Sequence, residues 1–261
     1  MFLFTRCWLP GLCSLALPLV GQAQTAPTLP LRAVERRTGT VRKPSECHFG
    51  PSVGLLGSTV QMPDLGYRAT SLRYRAGFEA GVAGNWARGP WALQVAARYV
   101  RLGYTRNDQV RLTLNAPPIS ATADYRLNYL TVPVSVAFTP FTNRQRFQIY
   151  AGFYIARFLS GRYEKSDLAP GYPNVLGPVR ATDTPDFAGG RSEYVQPWDA
   201  GLQVGLGHRF GPALLQAGYV RGLRNVAPVV NGGGGNGLSQ SEYYNRAFRL
   251  SLTYFAFGPR N

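Results

Sequence analysis

The sequence predicts an all-β protein, an eight-stranded antiparallel up-and-down transmembrane β-barrel. Three observations favour this fold class. Apolar and polar residues alternate with a period of two in successive segments, no convincing helical period is present in them, and the links between the segments alternate between short and long. A soluble barrel or sandwich has no reason to sort its links in this way. An outer-membrane barrel has tight turns on the periplasmic side and long loops outside.

Composition narrows the classes of protein that fit. The 261 residues are 45% hydrophobic and 16% charged, with a mean hydropathy of −0.14. These values argue against intrinsic disorder, which needs low hydrophobicity and high charge, and against a polytopic helical membrane protein. The net charge is +15. Because no Lys/Arg-rich helix or stripe gathers that charge, we expect no nucleic-acid partner.

The first 48 residues are predicted to lie outside the barrel. Residues 1–23 have the pattern of a secretory signal peptide: Arg6 gives the positive charge, a short apolar stretch broken by prolines follows, and Gly21 and Ala23 are small residues suited to cleavage. Residues 24–48 are rich in Pro, Thr and Arg and show no strand or helix period, so we expect a periplasmic extension. Export then places residues 49–261 in the outer membrane as the barrel.

Cys47 is the one cysteine that remains if Cys7 and Cys13 leave with the signal peptide. A single thiol forms neither an internal disulfide nor a zinc site, so we expect no metal site. Its position just before the predicted barrel favours an inert linker cysteine over a nucleophile.

Eight segments carry the alternating pattern. They are residues 50–60, 74–86, 91–99, 125–139, 146–159, 197–210, 213–223 and 246–257. At about 10–14 residues, most are long enough to cross a thin bilayer when tilted. The apolar and aromatic face is predicted to meet lipid, and the face with Arg, Glu, Gln and Gly to point inward. Pro133 removes a ladder hydrogen bond, so we expect a bulge or a weakly paired position there.

The links between these segments fall into two classes. The links at 61–73, 105–124, 160–196 and 224–245 are long, whereas those after residues 87, 138 and 210 are short. Aromatic residues beside the short turns are predicted to form an interfacial girdle. The girdle residues are Trp86, Trp91, Phe147, Trp198 and Phe210.

A charged set is predicted to point into the barrel. Its members are Arg75, Glu79, Arg98, Asp199, Arg209 and Arg249. Eight strands enclose an interior that side chains can just fill, and unpaired charges are costly to bury there. We therefore predict an ion-pair and hydrogen-bond network. The favoured role of this network is a plug that keeps the barrel rigid, and the alternative is a narrow or gated pore that prefers anions.

Four segments, taken in order, resemble strands of the porin-family, PorT-like outer-membrane β-barrel domain. They are GFEAGV at 77–82, NYLTVP at 128–133, YAGFY at 150–154 and DAGLQVGLG at 199–207. The resemblance covers about residues 49–257 and implies the barrel fold, while members of the family serve varied roles. It also implies a terminal aromatic residue that the outer-membrane assembly machinery reads. Here four residues follow Phe257 and displace that feature.

No catalytic residue or cofactor site is expected. His208 is predicted to face outward near the periplasmic rim, and no serine lies within two residues of it, so a lipid-modifying enzyme with a His–Ser–acid set is only the third hypothesis. The glycines at 232–235 lack the Lys-Ser/Thr that follows in a phosphate-binding loop, and we interpret them as a loop tip.

These observations favour a non-enzymatic barrel with a structural or interaction role, such as an accessory to secretion or surface assembly. The alternative is a narrow porin-like channel. The loop 160–196 combines tyrosines with charges of both signs, which suits contact with a protein or a glycan, although a solvated variable loop explains it as well. For the exposed arginines we expect anionic outer-membrane lipid, lipopolysaccharide above all, as a partner.

Overall fold

The computed structural model describes residues 46–62, 69–110, 119–140, 147–166, 174–182, 193–227 and 242–257. The predicted signal peptide, most of the predicted extension and the glycine run at 232–235 lie outside this part of the chain. Within it, no helix has the length and apolarity needed to cross a membrane. The described residues form ten strands: β1 (Glu46–Gln61), β2 (Ala69–Arg88), β3 (Trp91–Val110), β4 (Ile119–Phe138), β5 (Phe147–Ser166), β6 (Val175–Ala181), β7 (Glu193–Val195), β8 (Trp198–Phe210), β9 (Ala213–Gly222) and β10 (Tyr244–Tyr254).

Eight of the strands form a closed ring. Their order is β4-β3-β2-β1-β10-β9-β8-β5, and a further pairing of β4 with β5 closes the circle. All neighbours in the ring are antiparallel. β1 pairs with β10 from Ser52↔Thr253 to Gln61↔Tyr244, so the first and last strands meet. The predicted eight-stranded antiparallel up-and-down barrel is confirmed.

Several strands are longer than the sequence pattern predicts. β2, β3, β4 and β5 have 20 residues each, and the links predicted at 61–73 and 105–124 shrink accordingly. β1 begins at Glu46, so Cys47 lies on the barrel wall, where it is exposed, and not in a linker. His48 is a second histidine within the fold, buried on β1 and 3.3 Å from a Glu46 carboxylate oxygen.

Two hairpins at one end of the barrel have two-residue turns. Arg88 pairs with Trp91, and Phe210 pairs with Ala213, so each turn consists of Gly-Pro. Gly89 and Gly211 adopt φ values of 62° and 59°. A positive φ at the first central position is the requirement of a type II′ hairpin turn, and proline supplies the fixed negative φ that follows. We call this the short-turn end, and the other the long-loop end.

The outer face of the ring is apolar over a band of limited height. On β4, every second residue from Leu130 to Phe138 is apolar and faces outward, whereas Arg126 and Asn128 continue the same face toward the long-loop end. Eight steps of about 3.4 Å give roughly 27 Å along a tilted strand, which suits the apolar band of about 25 Å on outer-membrane barrels. The predicted assignment of faces therefore holds in this band.

Pro133 sits at an interruption of one ladder. β3 pairs with β4 at Val95↔Val134 and again at Arg98↔Thr131, but not between them. On its other side Pro133 pairs with Tyr154. The missing amide hydrogen of proline is therefore accommodated at a weakly paired position, as expected, and no bulge is needed there.

The barrel wall continues beyond the band at the long-loop end. β5 pairs with β8 over Phe147–Arg157 and with β6 over Gly161–Lys165. β6 pairs with β7, and the Gln196 amide donates to the Val226 carbonyl oxygen at 2.9 Å. The predicted loop 160–196 thus contains two strands and the end of a third. Together they extend the wall past the start of β8.

This extension encloses an apolar core, which we call the upper core. Tyr104 and Tyr125 stack there with ring centroids 4.6 Å apart. The outer faces of β3 and β4 carry polar residues at this level, so their alternation is polar outside and apolar inside, the reverse of the band. The buried members are Val60, Tyr104, Ala123, Tyr125, Leu127, Tyr129, Tyr154, Ala156, Phe158, Tyr163, Val179 and Val195.

Candidate functional site in the barrel lumen

A charge cluster occupies the lumen at the level of the apolar band. Glu79 Oε1 accepts a hydrogen bond from Arg98 Nη1 at 3.1 Å and lies 3.9 Å from Arg249 Nε. The three side chains come from β2, β3 and β10 and are at least nine-tenths buried. One carboxylate therefore serves two guanidinium groups. We call these three residues the central charge cluster.

Two uncharged side chains accept hydrogen bonds from Arg249. Its Nη2 donates to Gln203 Oε1 at 2.9 Å and to Tyr150 OH at 3.3 Å. Gln203 Nε2 in turn donates to Ser135 Oγ at 2.5 Å. Because these partners lie on β4, β5 and β8, the contacts connect opposite parts of the wall across the lumen.

Glycines make room for the Tyr150 ring. A Cβ on Gly218 would lie 2.2 Å from Tyr150 OH, and a Cβ on Gly205 would lie 2.6 Å from the same atom. Side chains at these positions on β9 and β8 would occupy the space of the ring. The small residues at 205 and 218 are therefore part of how the lumen is filled.

Asp199 forms a second cluster with neutral partners. Its Oδ2 accepts hydrogen bonds from Asn245 Nδ2 at 2.8 Å and from Tyr154 OH at 3.0 Å. The residue is 1% exposed. Neutral donors thus hold a buried carboxylate at the boundary between the central charge cluster and the upper core.

Amide side chains span the lumen nearer the short-turn end. Gln216 Nε2 donates to Gln94 Oε1 at 2.9 Å, and Gln94 Nε2 donates to Asn85 Oδ1 at 3.2 Å. Gln216 lies on β9 and Gln94 on β3, which are opposite each other in the ring. The chain of hydrogen bonds therefore runs across the whole width of the lumen.

Side chains occupy much of the lumen, and acidic and basic residues are buried there in equal number. Glu79 and Asp199 are the acidic residues, and Arg98 and Arg249 are the basic residues. Two cavities beside them measure about 20 and 40 Å³, taken as the space open to the centre of a water molecule. That is room for one to a few waters each, since one water needs about 10–15 Å³.

Arg75 lies on the outer face, and its predicted place in the lumen is wrong. Its guanidinium binds Asp124 at 2.7 Å, and its Cδ would lie 2.8 Å from a Cβ on Gly103. Gly103 and Asp124 share the outer face with exposed Tyr99, because the β3–β4 register is continuous beyond Arg98. The cause is a register shift in β2 between Tyr74 and Phe78, which breaks the alternation at Arg75.

Replacing Arg75 by glutamine is expected to lower the free energy of unfolding by less than about 1 kcal/mol, because the ion pair with Asp124 is a quarter to a third exposed. Denaturant unfolding in detergent micelles, followed by heat-modifiable gel mobility, measures the change. A loss as large as that of a buried ion pair would contradict the placement of Arg75 on the outer face.

Arg209 also lies apart from the central charge cluster. Its Nε donates to the Gly211 carbonyl oxygen at 3.1 Å, and its guanidinium lies 5.3 Å from the centre of the Phe255 ring. The residue stands at the end of β8, one residue before the turn. Its inward phase matches the prediction, but it is too near the short-turn end to reach Glu79.

Four of the five predicted girdle residues lie at the short-turn end. Trp86, Trp91 and Phe210 are about half exposed there, and Phe147 pairs with His208 at the same end. Trp198 is the exception, because β8 begins at the long-loop end and reaches the short turn only at Phe210. Its ring lies 5.6 Å from the Arg157 guanidinium, so its predicted position beside the short turns is wrong.

His208 lies on the outer face near the short-turn end. Its ring contacts Phe210 edge-on at a centroid distance of 4.3 Å. Among the described residues, no group of three His, Cys, Asp or Glu side chains is arranged to hold a metal ion.

The sequence pattern missed the neutral half of the lumen. Tyr150, Tyr154, Gln203, Gln216 and Asn245 each bind a partner there, and all share the inward phase of their strands. The inward phase of these residues is therefore a signal in the sequence that they line the lumen. Which of them meet depends on the stagger of the strands, which no single segment encodes.

Comparison with known proteins decides the family of this barrel. The family model described as "Outer membrane protein beta-barrel domain" matches residues 22–227, most of the chain. The chain belongs to this family. By the rule for outer-membrane barrels, the short-turn end of this family member is periplasmic and the long-loop end is extracellular. No curated protein matches the sequence.

The solved structures of outer-membrane proteins that resemble this chain share little of its sequence. Neisserial surface protein A is 12% identical, with a TM-score of 0.40, over 79% of this chain and 96% of that one. The outer membrane protein OprG from Pseudomonas aeruginosa is 11% identical, with a TM-score of 0.33, over 80% and 94% of the two chains. The fold assignment therefore rests on the strand pairing, and the family on its model.

Proposed function

We propose that this outer-membrane barrel is a closed, non-enzymatic scaffold with a structural or interaction role. The single observation that carries the proposal is the lumen itself, where side chains of both charge signs are buried and hydrogen bonds connect opposite walls at two levels. A rigid barrel of this kind presents its extracellular wall and loops to a partner. An accessory role in secretion or surface assembly fits that arrangement, and PorT-like membership within the family is part of the same proposal.

The filled lumen supports a scaffold over a channel on physical grounds. An ion that entered would have to displace the hydrogen bonds among Arg249, Gln203 and Tyr150, whose polar groups would then be left buried without partners. Farther along the path, the upper core presents apolar side chains that do not solvate an ion.

The absence of enzymatic activity belongs to the same proposal. His208 faces lipid beside Phe210, and its paired neighbours Phe147 and Leu215 offer neither a nucleophile nor a carboxylate. A His–Ser–acid set needs all three groups within hydrogen-bond reach. The environment of His208 suits an interfacial aromatic contact instead.

In planar bilayers, the purified barrel is expected to give no reproducible single-channel steps, because hydrogen-bonded side chains cross its lumen. Recordings at high and low salt, with an established porin as a positive control, measure this. A variant with both Tyr150→Ala and Arg249→Ser tests the cause, since widening the lumen should produce conductance that the native barrel lacks.

The second candidate function is a narrow channel, and one observation favours it. The cavity of about 40 Å³ lies between Asp199 and the central charge cluster, and charged groups line it on both sides. Reproducible steps from the native barrel, with a current that scales with salt, would establish this alternative and overturn the closed scaffold.

A further inference from the structure

Two pairs of arginines lie directly opposite each other on the outer face. Arg126 of β4 pairs with Arg162 of β5, and Arg221 of β9 pairs with Arg246 of β10. Opposed residues of an antiparallel pair have Cβ atoms about 4.5–5.5 Å apart, and like charges there are destabilising. Folding alone therefore gives no reason to place the arginines in this way.

Two carboxylates lie next to the first pair, and Asp124 interacts electrostatically with Arg126, but neither carboxylate forms an ion pair with Arg126 or Arg162. Asp124 and Glu164 lie opposite each other two residues farther from the band. Asp124 is already bound by Arg75 at 2.7 Å. Within the described residues, no carboxylate lies within ion-pair distance of Arg126, Arg162 or Arg221.

A third guanidinium lies next to the first pair. Arg101 of β3 shares the outer face and is diagonal to Arg126, since it pairs with Asn128. We call Arg101, Arg126 and Arg162 the arginine patch. Arg126 and Arg162 are exposed, and Arg101 is half-buried. Three guanidinium groups from adjacent strands thus face outward, with Asp124 and Glu164 next to them on the long-loop side.

The arginine pairs lie where lipid headgroups lie. Arg221 and Arg246 are each two residues beyond the last aromatic residues of the band on their strands, Tyr219 and Phe248. Arg126 is four residues beyond Leu130, about 14 Å along the tilted strand. Its guanidinium therefore lies above the band, on the side where the headgroups of the outer leaflet are expected.

The two ends of the barrel carry different residues on their outer faces, and the two leaflets of the outer membrane likewise differ in their lipids. Aromatic side chains such as Trp86, Trp91 and Phe210 surround the periplasmic end. Opposed arginines occur at the extracellular end. A binding site for anions on that side faces the outer leaflet.

We propose that the arginine patch binds phosphate groups of outer-leaflet lipopolysaccharide while the acyl chains lie on the apolar band beneath. Guanidinium groups bind phosphate through paired, charge-assisted hydrogen bonds. A phosphate between Arg126 and Arg162 replaces their repulsion by two attractions. Arg221 and Arg246 form a second opposed pair, in which the Arg246 guanidinium already donates to Gln61 Oε1. This inference does not depend on whether the lumen conducts.

Titration of the detergent-purified full-length barrel with bis-phosphorylated lipid A tests the proposal. The double variant Arg126→Gln, Arg162→Gln is expected to bind at least about tenfold more weakly, since two charge-assisted hydrogen-bonding groups are lost. A matched control carries Arg88→Gln and Arg180→Gln, which remove two exposed arginines outside the patch. The control should bind within about twofold of the native barrel. Heat-modifiable gel mobility confirms that each variant is folded.

Two further probes separate lipid from free anion. Lipid A without its phosphates should bind the native barrel as weakly as the double variant binds the phosphorylated lipid. Inorganic phosphate should not compete at concentrations comparable to those of the lipid. The proposal is overturned if the double variant keeps its affinity, if the dephosphorylated lipid binds equally well, or if inorganic phosphate competes equally.

Discussion

Replacing Glu79 by glutamine is expected to lower the free energy of unfolding by about 3–5 kcal/mol, the cost of leaving a buried charge without its partner. Glutamine keeps the volume and removes only the charge, so Arg98 and Arg249 both remain buried without their shared carboxylate. Denaturant unfolding in detergent micelles, followed by gel mobility and tryptophan fluorescence, measures the loss.

The partners of Glu79 supply an internal test of this expectation. Arg98→Met should cost less than Glu79→Gln, because it leaves Glu79 with Arg249 at 3.9 Å. The double variant Glu79→Leu, Arg98→Met should cost less than the sum of the single changes, since it removes both charges of the closer pair. Glu164→Gln on the outer face is the control, and an equal loss in that variant would contradict a special role for the buried carboxylate.

Replacing Gly218 by alanine is expected to lower the free energy of unfolding by about 1–3 kcal/mol, the range for overpacking a filled interior. The added Cβ would lie 2.2 Å from Tyr150 OH and 2.9 Å from the Val204 carbonyl oxygen. Tyr150 must therefore move, and its contact with Arg249 is lost. The same unfolding measurement applies.

Two variants separate this clash from a general effect of alanine. The cost of Gly218→Ala should fall in a Tyr150→Phe background, because the nearest clashing atom is then gone. Gly57→Ala is the matched control, since a Cβ at Gly57 on β1 meets nothing within 4 Å. If the two glycine changes cost the same, the ring of Tyr150 does not depend on the space at Gly218.

The band of the barrel could be predicted from the sequence because lipid imposes one requirement on every strand. Each outward position there must be apolar, so period two appears in all eight segments, and the same phase places Glu79, Arg98 and Arg249 inward. The extension at the long-loop end could not be predicted in this way. Its alternation is reversed, with Tyr104 and Tyr125 inside and polar residues outside, so those strands were assigned to links.

The errors at single residues have separate physical causes. Arg75 lies at a register shift, and a one-residue shift moves a side chain to the other face. The prediction for Trp198 is wrong about the end of the barrel, because the strand that begins there reaches its short turn only twelve residues later, at Phe210. The contact of Arg249 with Tyr150 joins residues 99 apart in the chain, and only the stagger of the closed ring determines it.

The pairing of β1 with β10 has a consequence for how the chain assembles. Ser52 and Thr253, whose hydroxyl groups meet at 3.0 Å, are 201 residues apart in the sequence, so this seam forms only after the intervening strands are in place. Until then both edges expose unpaired amide and carbonyl groups, to which any extended chain can add. Closure is a unimolecular step, while addition of a second copy depends on concentration. Dilution, or an assembly factor that shields one edge, therefore decides whether a growing sheet becomes a monomeric ring or an open aggregate.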